Sequence, residues 1–440
     1  MKPHRFIAQL EVAEFSHAAG SLRKLTGEYF EADGPVASVG DYCEIESADG
    51  KVPAIAEVVA VERDRIRLVP VAHPPRLSLG AAVSAAPQVD LIPVGDAFGG
   101  RAIDGLARPL DDGKPVFPDL RQPRQGQTLR ALDRIAPSER LETGIRAIDA
   151  LLPLGKGQRI GIFAASGVGK TTLLDQIARQ TRCDRIVLCL VGERGREVDK
   201  LWRMLQASEN GSRSTLVAAT ADESASLRLR AIEQAVGLAE HWRDKGEHVL
   251  LLVDSVTRVA QALREIGLAA GLPPAMRGLT PNVFSMLPRL VERCGASRAG
   301  GAITAVITVL SETDDVDDPV VELMKSVLDG HIVLSRPFAE KRHFPAIDVS
   351  RSVSRLADDL LTAGEYDAMR RAHALIATHE EARPMIESGL YRSGASAEID
   401  EAISIQPALS QWLCQRANER SDWDETCASL AALFGGTGNA

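Results

Sequence analysis

One stretch constrains this chain more than any other: Ala164-Ala165-Ser166-Gly167-Val168-Gly169-Lys170-Thr171-Thr172. It follows an apolar run, Arg159 to Phe163, that reads as a strand. It precedes Leu173, Leu174, Ile177 and Ala178, which fall on one stripe of a helix. A strand, a glycine-rich turn and a helix in that order aim backbone N–H groups and the positive helix end at an anion. Gly167 and Gly169 permit the tight turn, Lys170 can reach β- and γ-phosphates, and the Thr171 hydroxyl can ligate Mg²⁺, as in the phosphate loop of nucleoside triphosphatases. Ala164 stands where the general pattern has its first Gly.

Around this loop the chain reads as strands alternating with helices, the signature of a parallel α/β sheet. Candidate strands are Arg159 to Phe163, Arg185 to Val191, Thr215 to Ala219, Val249 to Val253, Ala302 to Leu310 and His331 to Leu334. Residues 141–356 form this core. Before it, residues 1–20 read as a short mixed segment and residues 21–88 as short strands and turns. Asp49-Gly50 is a hairpin signal there, and Glu57 to Val61 and Ile66 to Val69 are strand-like, so a small β-barrel is the economical reading. Residues 89–140, with Gly99-Gly100 and Arg108-Pro109-Leu110-Asp111-Asp112-Gly113, read as a linker region with turns. Residues 357–440 read as helical throughout, with Tyr366 to Glu381 and Trp412 to Phe434 as helices.

Two carboxylates accompany the phosphate loop. Asp254 ends the apolar strand Val249 to Val253, where an acid can hold Mg²⁺ through water. Glu193 lies just past Arg185 to Val191. From spacing alone it reads equally as the group that orients or deprotonates an attacking water and as part of a solvated charge cluster at a helix start.

Composition narrows the classes. A net charge of −9 argues against a protein that coats nucleic acid, and 4 % aromatic residues argue against stacking along a single strand. Six scattered cysteines, with no C-x-x-C pair, read as reduced thiols of a cytosolic protein. No run is apolar enough to span a bilayer, so membrane contact is expected to be peripheral. The acidic run Glu312 to Asp318 reads as a solvated loop.

Longer strings carry a resemblance. Ala165 to Lys170, Gly192-Glu193-Arg194-Gly195-Arg196-Glu197-Val198, Asp254-Ser255-Val256-Thr257-Arg258, Leu287 to Arg293, Leu328 to Arg336, Phe344 to Asp348 and Ser352-Val353-Ser354-Arg355 resemble the hexameric export ATPases of flagella and type III secretion systems, relatives of the catalytic subunits of rotary ATP synthases. The likeness covers roughly residues 20 to 425. It implies a RecA-like core behind a β-barrel and before a C-terminal helical domain, with ATP and Mg²⁺ bound. It implies that Ala165 to Thr172 cradle the nucleotide, that Thr171 and Asp254 serve the metal, and that Glu193 polarises water. Lys170, Arg194 and Arg258 then sit at the γ-phosphate, Arg355 reaches into a neighbour's site as an arginine finger, and Phe344 packs on adenine. Without the resemblance, Arg355 reads as a surface arginine and Phe344 as core.

Because one chain carries both Glu193 and Arg355, the resemblance implies a homohexamer with an active site at every interface. Further implied partners are a stalk-like regulator, a central stalk protein and export chaperone–cargo complexes. The implied location is cytoplasmic, peripherally at the inner face of the bacterial inner membrane, and nucleic acid is not an expected partner. The flagellar members are the better match in Ser166 to Gly169 and Arg194 to Val198. Virulence-type injection, a rotary synthase subunit and a RecA-like RNA or DNA translocase are the alternatives. Ala165 and Thr171 stand where flagellar members often have Gly and Ser, and Leu279 and Ile307 replace common tyrosines.

Overall fold

Alternating burial builds the first unit. In Ala54–Val61, for instance, Ala54, Ala56 and Val58 point inward. The computed structural model describes residues 19–126, 129–311 and 318–435. Within it, six antiparallel strands close a barrel in the order Ala19–Leu25, Phe30–Ala32, Ile66–Pro70, Ala54–Val61, Tyr42–Ile45, Ala82–Ala85. Closure leaves no sheet edge to solvent. Leu22, Phe30, Ile45, Ile66, Leu68 and Val83 fill its interior. Asp49-Gly50 sits in the turn between Tyr42–Ile45 and Ala54–Val61, with Gly50 at φ +65°. The first strand starts at Ala19, inside the segment read as preceding the barrel. The rest of that segment lies outside the described residues, as do residues 312–317 of the acidic run. Asp318 is described: its carboxylate accepts from Val320 N–H at 2.8 Å and caps the helix Pro319–Val327.

The second unit is a sheet whose strands are nearly continuous apolar runs, as burial on both faces demands. Its order is Ile347–Ser354, Gly330–Leu334, Arg159–Ala164, Ala302–Leu310, His248–Asp254, Arg185–Glu193, Ser214–Thr220, Ala102–Ile103. Along this order all neighbours are parallel except Ile347–Ser354, which runs antiparallel along Gly330–Leu334; off it, Gly295–Ser297 pairs antiparallel with Ala302–Leu310. One face packs on the helices Ala225–Asp244, Val256–Ala269 and Pro281–Glu292. The other packs on Lys170–Gln180, Gly195–Gln206 and the C-terminal helices.

Residues 89–140, expected to be linker, do more than connect. Ala102–Ile103 pairs with Ser214–Thr220 as the sheet's edge, and Phe98 is fully buried. Arg124 bonds Glu57 of the barrel at 3.0 Å and lies 3.5 Å from Glu233 of the core helix, so one buried guanidinium ties barrel to core.

The C-terminal region departs from the expectation of continuous helix. Ala363–Glu387, Ala397–Leu413 and Trp423–Gly435 are helical, but residues 414–422 are not, so Trp412 to Phe434 is two helices rather than one. Tertiary bonds draw the chain out of the helix. Gln415 Nε2 donates to Gly144 O at 2.7 Å, and Gln415 Oε1 accepts from Arg146 N–H at 2.9 Å. The Arg146 guanidinium bonds the carbonyls of Trp412 and Cys414. No helix among the described residues is long and apolar enough to cross a membrane.

Candidate active site

The strand Arg159–Ala164 delivers the chain into the phosphate loop, and the helix Lys170–Gln180 carries it away. Gly167 and Gly169 hold φ of +82° and +98°, values that a side chain would strain. A Cβ at Gly167 would meet only open space, so nothing packs against the loop at that residue. No side chain caps the helix and its first turn has no acid, which leaves its N–H groups and positive end to a ligand. Val168 is buried and pins the loop, whereas Ser166, Thr171 and Thr172 are exposed and Ala165 is half-buried. Ala164 is the last strand residue and has no positive φ, so a methyl group costs nothing at the position where the general pattern has Gly.

Charge gathers at the same carboxyl edge. Asp254 ends His248–Asp254 and is 2 % exposed. Its Oδ1 accepts from Lys170 Nζ and from Thr308 Oγ1, the latter at 2.8 Å. Glu193 Oε1 lies 3.7 Å from Lys170 Nζ. Burial, and then the negative charge of Asp254, push the Glu193 carboxyl above its ordinary range, against the pull of Lys170. The strand Arg185–Glu193 outlasts its expected end by two residues because its register on Ser214–Thr220 slips between Val191 and Glu193. Gly192 turns there with φ +70°, and such a bulge re-aims the side chain that follows. A Cβ on Gly192 would stand 3.0 Å from the Arg258 side chain, so this glycine seats Arg258 against the strand end. Arg258 Nη1 donates to Gln261 Oε1 at 3.0 Å, and its buried Nε has no partner among the described residues. Arg194 is exposed at the start of Gly195–Gln206.

Beside the loop lies a cavity of about 760 Å³. Gly169, Thr172, Gln176, Phe344, Gln415 and Ala417 help to line it. Phe344 is 42 % exposed, so it is not a core residue. Its ring lies against Gly169, where a Cβ would sit 3.4 Å away, and its carbonyl accepts from Gln415 N–H at 2.8 Å.

Arg355 is the one predicted residue kept apart. It follows Ser354, which pairs with Gly330; Gly330 in turn pairs with Ile160 at the start of the phosphate-loop strand. The loop leaves from Ala164, four residues on and ~13 Å away at ~3.3 Å per residue. Arg355 is exposed at the far end, its Nη2 3.4 Å from Lys325 O. Sequence reasoning missed Thr308 altogether, although a hydroxyl within the apolar run Ala302–Leu310 was a usable signal.

A parallel sheet bearing a phosphate loop, with a lysine, an aspartate and a glutamate converging at its carboxyl edge, defines a P-loop nucleoside triphosphatase. Residues 144–354 match the ATP synthase alpha/beta family, nucleotide-binding domain, and residues 361–432 match the T3SS EscN ATPase C-terminal domain. The flagellum-specific ATP synthase of Bacillus subtilis (strain 168) is 42 % identical over 438 residues, 99 % of each chain. The assembled ATPase EscN of the enteropathogenic E. coli type III secretion system superposes with a TM-score of 0.89 at 39 % identity, over 94 % of this chain and 99 % of that one. The same ATPase solved with its central stalk EscO gives 0.86 at 38 % identity, over 94 % of this chain and 99 % of that one. The chain belongs to the family of flagellum-specific ATP synthases and type III secretion ATPases, and it is an ATP-hydrolysing P-loop enzyme.

Proposed function

We infer that this chain hydrolyses ATP to energise protein export through a flagellar type III apparatus. The observation that carries the reading is the meeting of Lys170, at the head of its helix, with Asp254 and Glu193, at two parallel strand ends, beside the Gly167–Gly169 turn. Loop N–H groups and Lys170 hold the β- and γ-phosphates, with Ala165 to Thr172 as the cradle and Phe344 against the adenine. Glu193, less acidic than a free glutamate, accepts the proton of the attacking water. Arg194 and Arg258 flank the phosphate that departs. Thr171 and Asp254 suit Mg²⁺, because a hydroxyl and a carboxylate are hard oxygen ligands, and the mutual repulsion of Asp254 and Glu193 favours a cation beside them. When bound, the metal draws negative charge off the β- and γ-phosphate oxygens.

Arg355 lies a strand's length from its own phosphate loop, which supports a role in a neighbouring copy. We therefore assign a homohexamer whose interfaces are its active sites. EscN is reported with its central stalk, which supports a stalk partner here; a stalk-like regulator, chaperone–cargo complexes and peripheral contact at the inner face of the inner membrane, from the cytoplasm, complete the reading. The division of the chain at about residues 20, 88, 140 and 356 is part of it. The EscN-type C-terminal match favours an injectisome as the second setting.

Purified chain should turn over ATP repeatedly. Glu193→Gln should keep nucleotide affinity and lose turnover, and Phe344→Ala should weaken adenine nucleotides about tenfold, as loss of one base–aromatic stack does. Multiple turnover by Glu193→Gln at near the unsubstituted rate refutes the base assignment.

A further inference from the structure

We propose that Thr308 is a positioning residue, whose hydroxyl holds the Asp254 carboxylate in place while Lys170 moves from that carboxylate to the phosphate. Asp254 Oδ1 accepts two donors, the Thr308 hydroxyl at 2.8 Å and the Lys170 ammonium, while Oδ2 takes neither. The two donors differ in kind. Thr308 belongs to Ala302–Leu310, the strand wedged between the phosphate-loop strand and the Asp254 strand, and it is fully buried. That strand is pinned at its end from both sides: Leu310 N–H donates to Thr257 Oγ1 at 2.8 Å, and Ser311 N–H donates to Ala164 O at 3.0 Å. Thr308 therefore cannot follow a ligand. Lys170 ends a long flexible stem and opens the helix that faces the anion.

A phosphate that takes Lys170 removes the one cation bonded to Asp254 among the described residues. A carboxylate that is 2 % exposed is costly to leave without a donor. The Thr308 hydroxyl stays and still holds Oδ1, so the carboxylate keeps its place and leaves Oδ2 clear of both donors. With valine at this position, Asp254 would depend on Lys170 alone, hold it more tightly, and swing free once it left. Both changes oppose binding of nucleotide with a divalent cation.

The inference rests on the reading that Asp254 serves the cation, and one assay separates the two. Free Mn²⁺ is followed by its paramagnetic resonance signal while the full chain is titrated in the presence of ADP. Thr308→Val is expected to weaken Mn²⁺ binding about tenfold, and Thr308→Ser to restore it to within about twofold. Thermal unfolding without nucleotide identifies any variant that fails to fold. If valine does so, the comparison of Thr308→Ser with Thr308→Ala decides by the same criterion. Unchanged Mn²⁺ affinity in Thr308→Val, or an equal loss in Thr308→Ser, overturns the proposal. Unchanged affinity in Asp254→Asn overturns the reading beneath it instead.

Discussion

Two variants that are inactive alone should become active together. Arg355→Ala keeps every group at its own phosphate loop, and Glu193→Gln keeps its arginine. Arg355 follows Ser354, which is level with Gly330 and Ile160, whereas the loop departs from Ala164, so the guanidinium is held ~13 Å of strand away from its own site. If it acts across an interface, loss of this finger slows turnover about 10³-fold. When the two variants are co-expressed in equal amounts and assembled, half of the sites keep Glu193 and half of their neighbours supply Arg355. About one quarter of the interfaces then hold both groups, as random pairing in a closed ring requires. Steady-state phosphate release from the mixed ring should thus approach about a quarter of the unsubstituted rate, hundreds of times that of either parent. A mixture no faster than the mean of its parents would refute the trans geometry, as would an Arg355→Ala variant within a few-fold of full activity.

Other outcomes follow from the same geometry. Lys170→Ala strips the cation from a buried carboxylate, so besides losing nucleotide it should lose ~3 kcal/mol of stability in urea unfolding; an unchanged midpoint would count against the pair. The raised Glu193 carboxyl places the acid limb of kcat above the ordinary 4.5 of a glutamate, with turnover fading as pH falls through it. Because a raised carboxyl binds its proton more tightly when folded, its stability contribution is present at low pH and lost as pH rises. Glu193→Gln should therefore melt higher than the unsubstituted chain near neutrality, and a lower Tm contradicts the shift. Burial opposes ionisation of Glu365, but bonds from Trp423 and Thr362 and the Arg140 charge outweigh it and bring the carboxyl to about 2. Its support of the helical domain is present above about pH 4.5 and lost as pH falls toward 2, on the order of 3 kcal/mol, so Glu365→Gln should be destabilising at pH 7 and neutral at pH 2 in denaturant titrations.

The sheet was legible because its strands are buried on both faces, and a run such as Val249 to Val253 admits few other readings. The barrel was legible through its alternation and its Asp-Gly turn. Residues 89–140 looked like linker because their strands are two to four residues long, too short for any period to emerge. The break after Leu413 was hidden because nothing local ends that helix: Gln415 and Arg146 stop it through bonds to residues some 270 positions away. At the site, Lys170 and Asp254 were readable from strand ends. Arg355 and Phe344 were assigned by resemblance alone, since their placement depends on the strand Ile347–Ser354 that no periodicity announced. Thr308 went unread because a threonine in an apolar strand, where Thr304 is another, looks like a tolerated β-branched residue.

The interruption at residues 414–422 gives the helical domain a handle on time. Cys414, Gln415 and Ala417 line the cavity beside Phe344, and the helix Ala397–Leu413 ends one residue before them. On the proposed reading that this cavity takes the nucleotide, a pull on that helix reaches its wall through Gln415, which is bonded to Gly144 and Arg146. The dwell of ADP on each subunit would then become a quantity that a load on the helices lengthens or shortens.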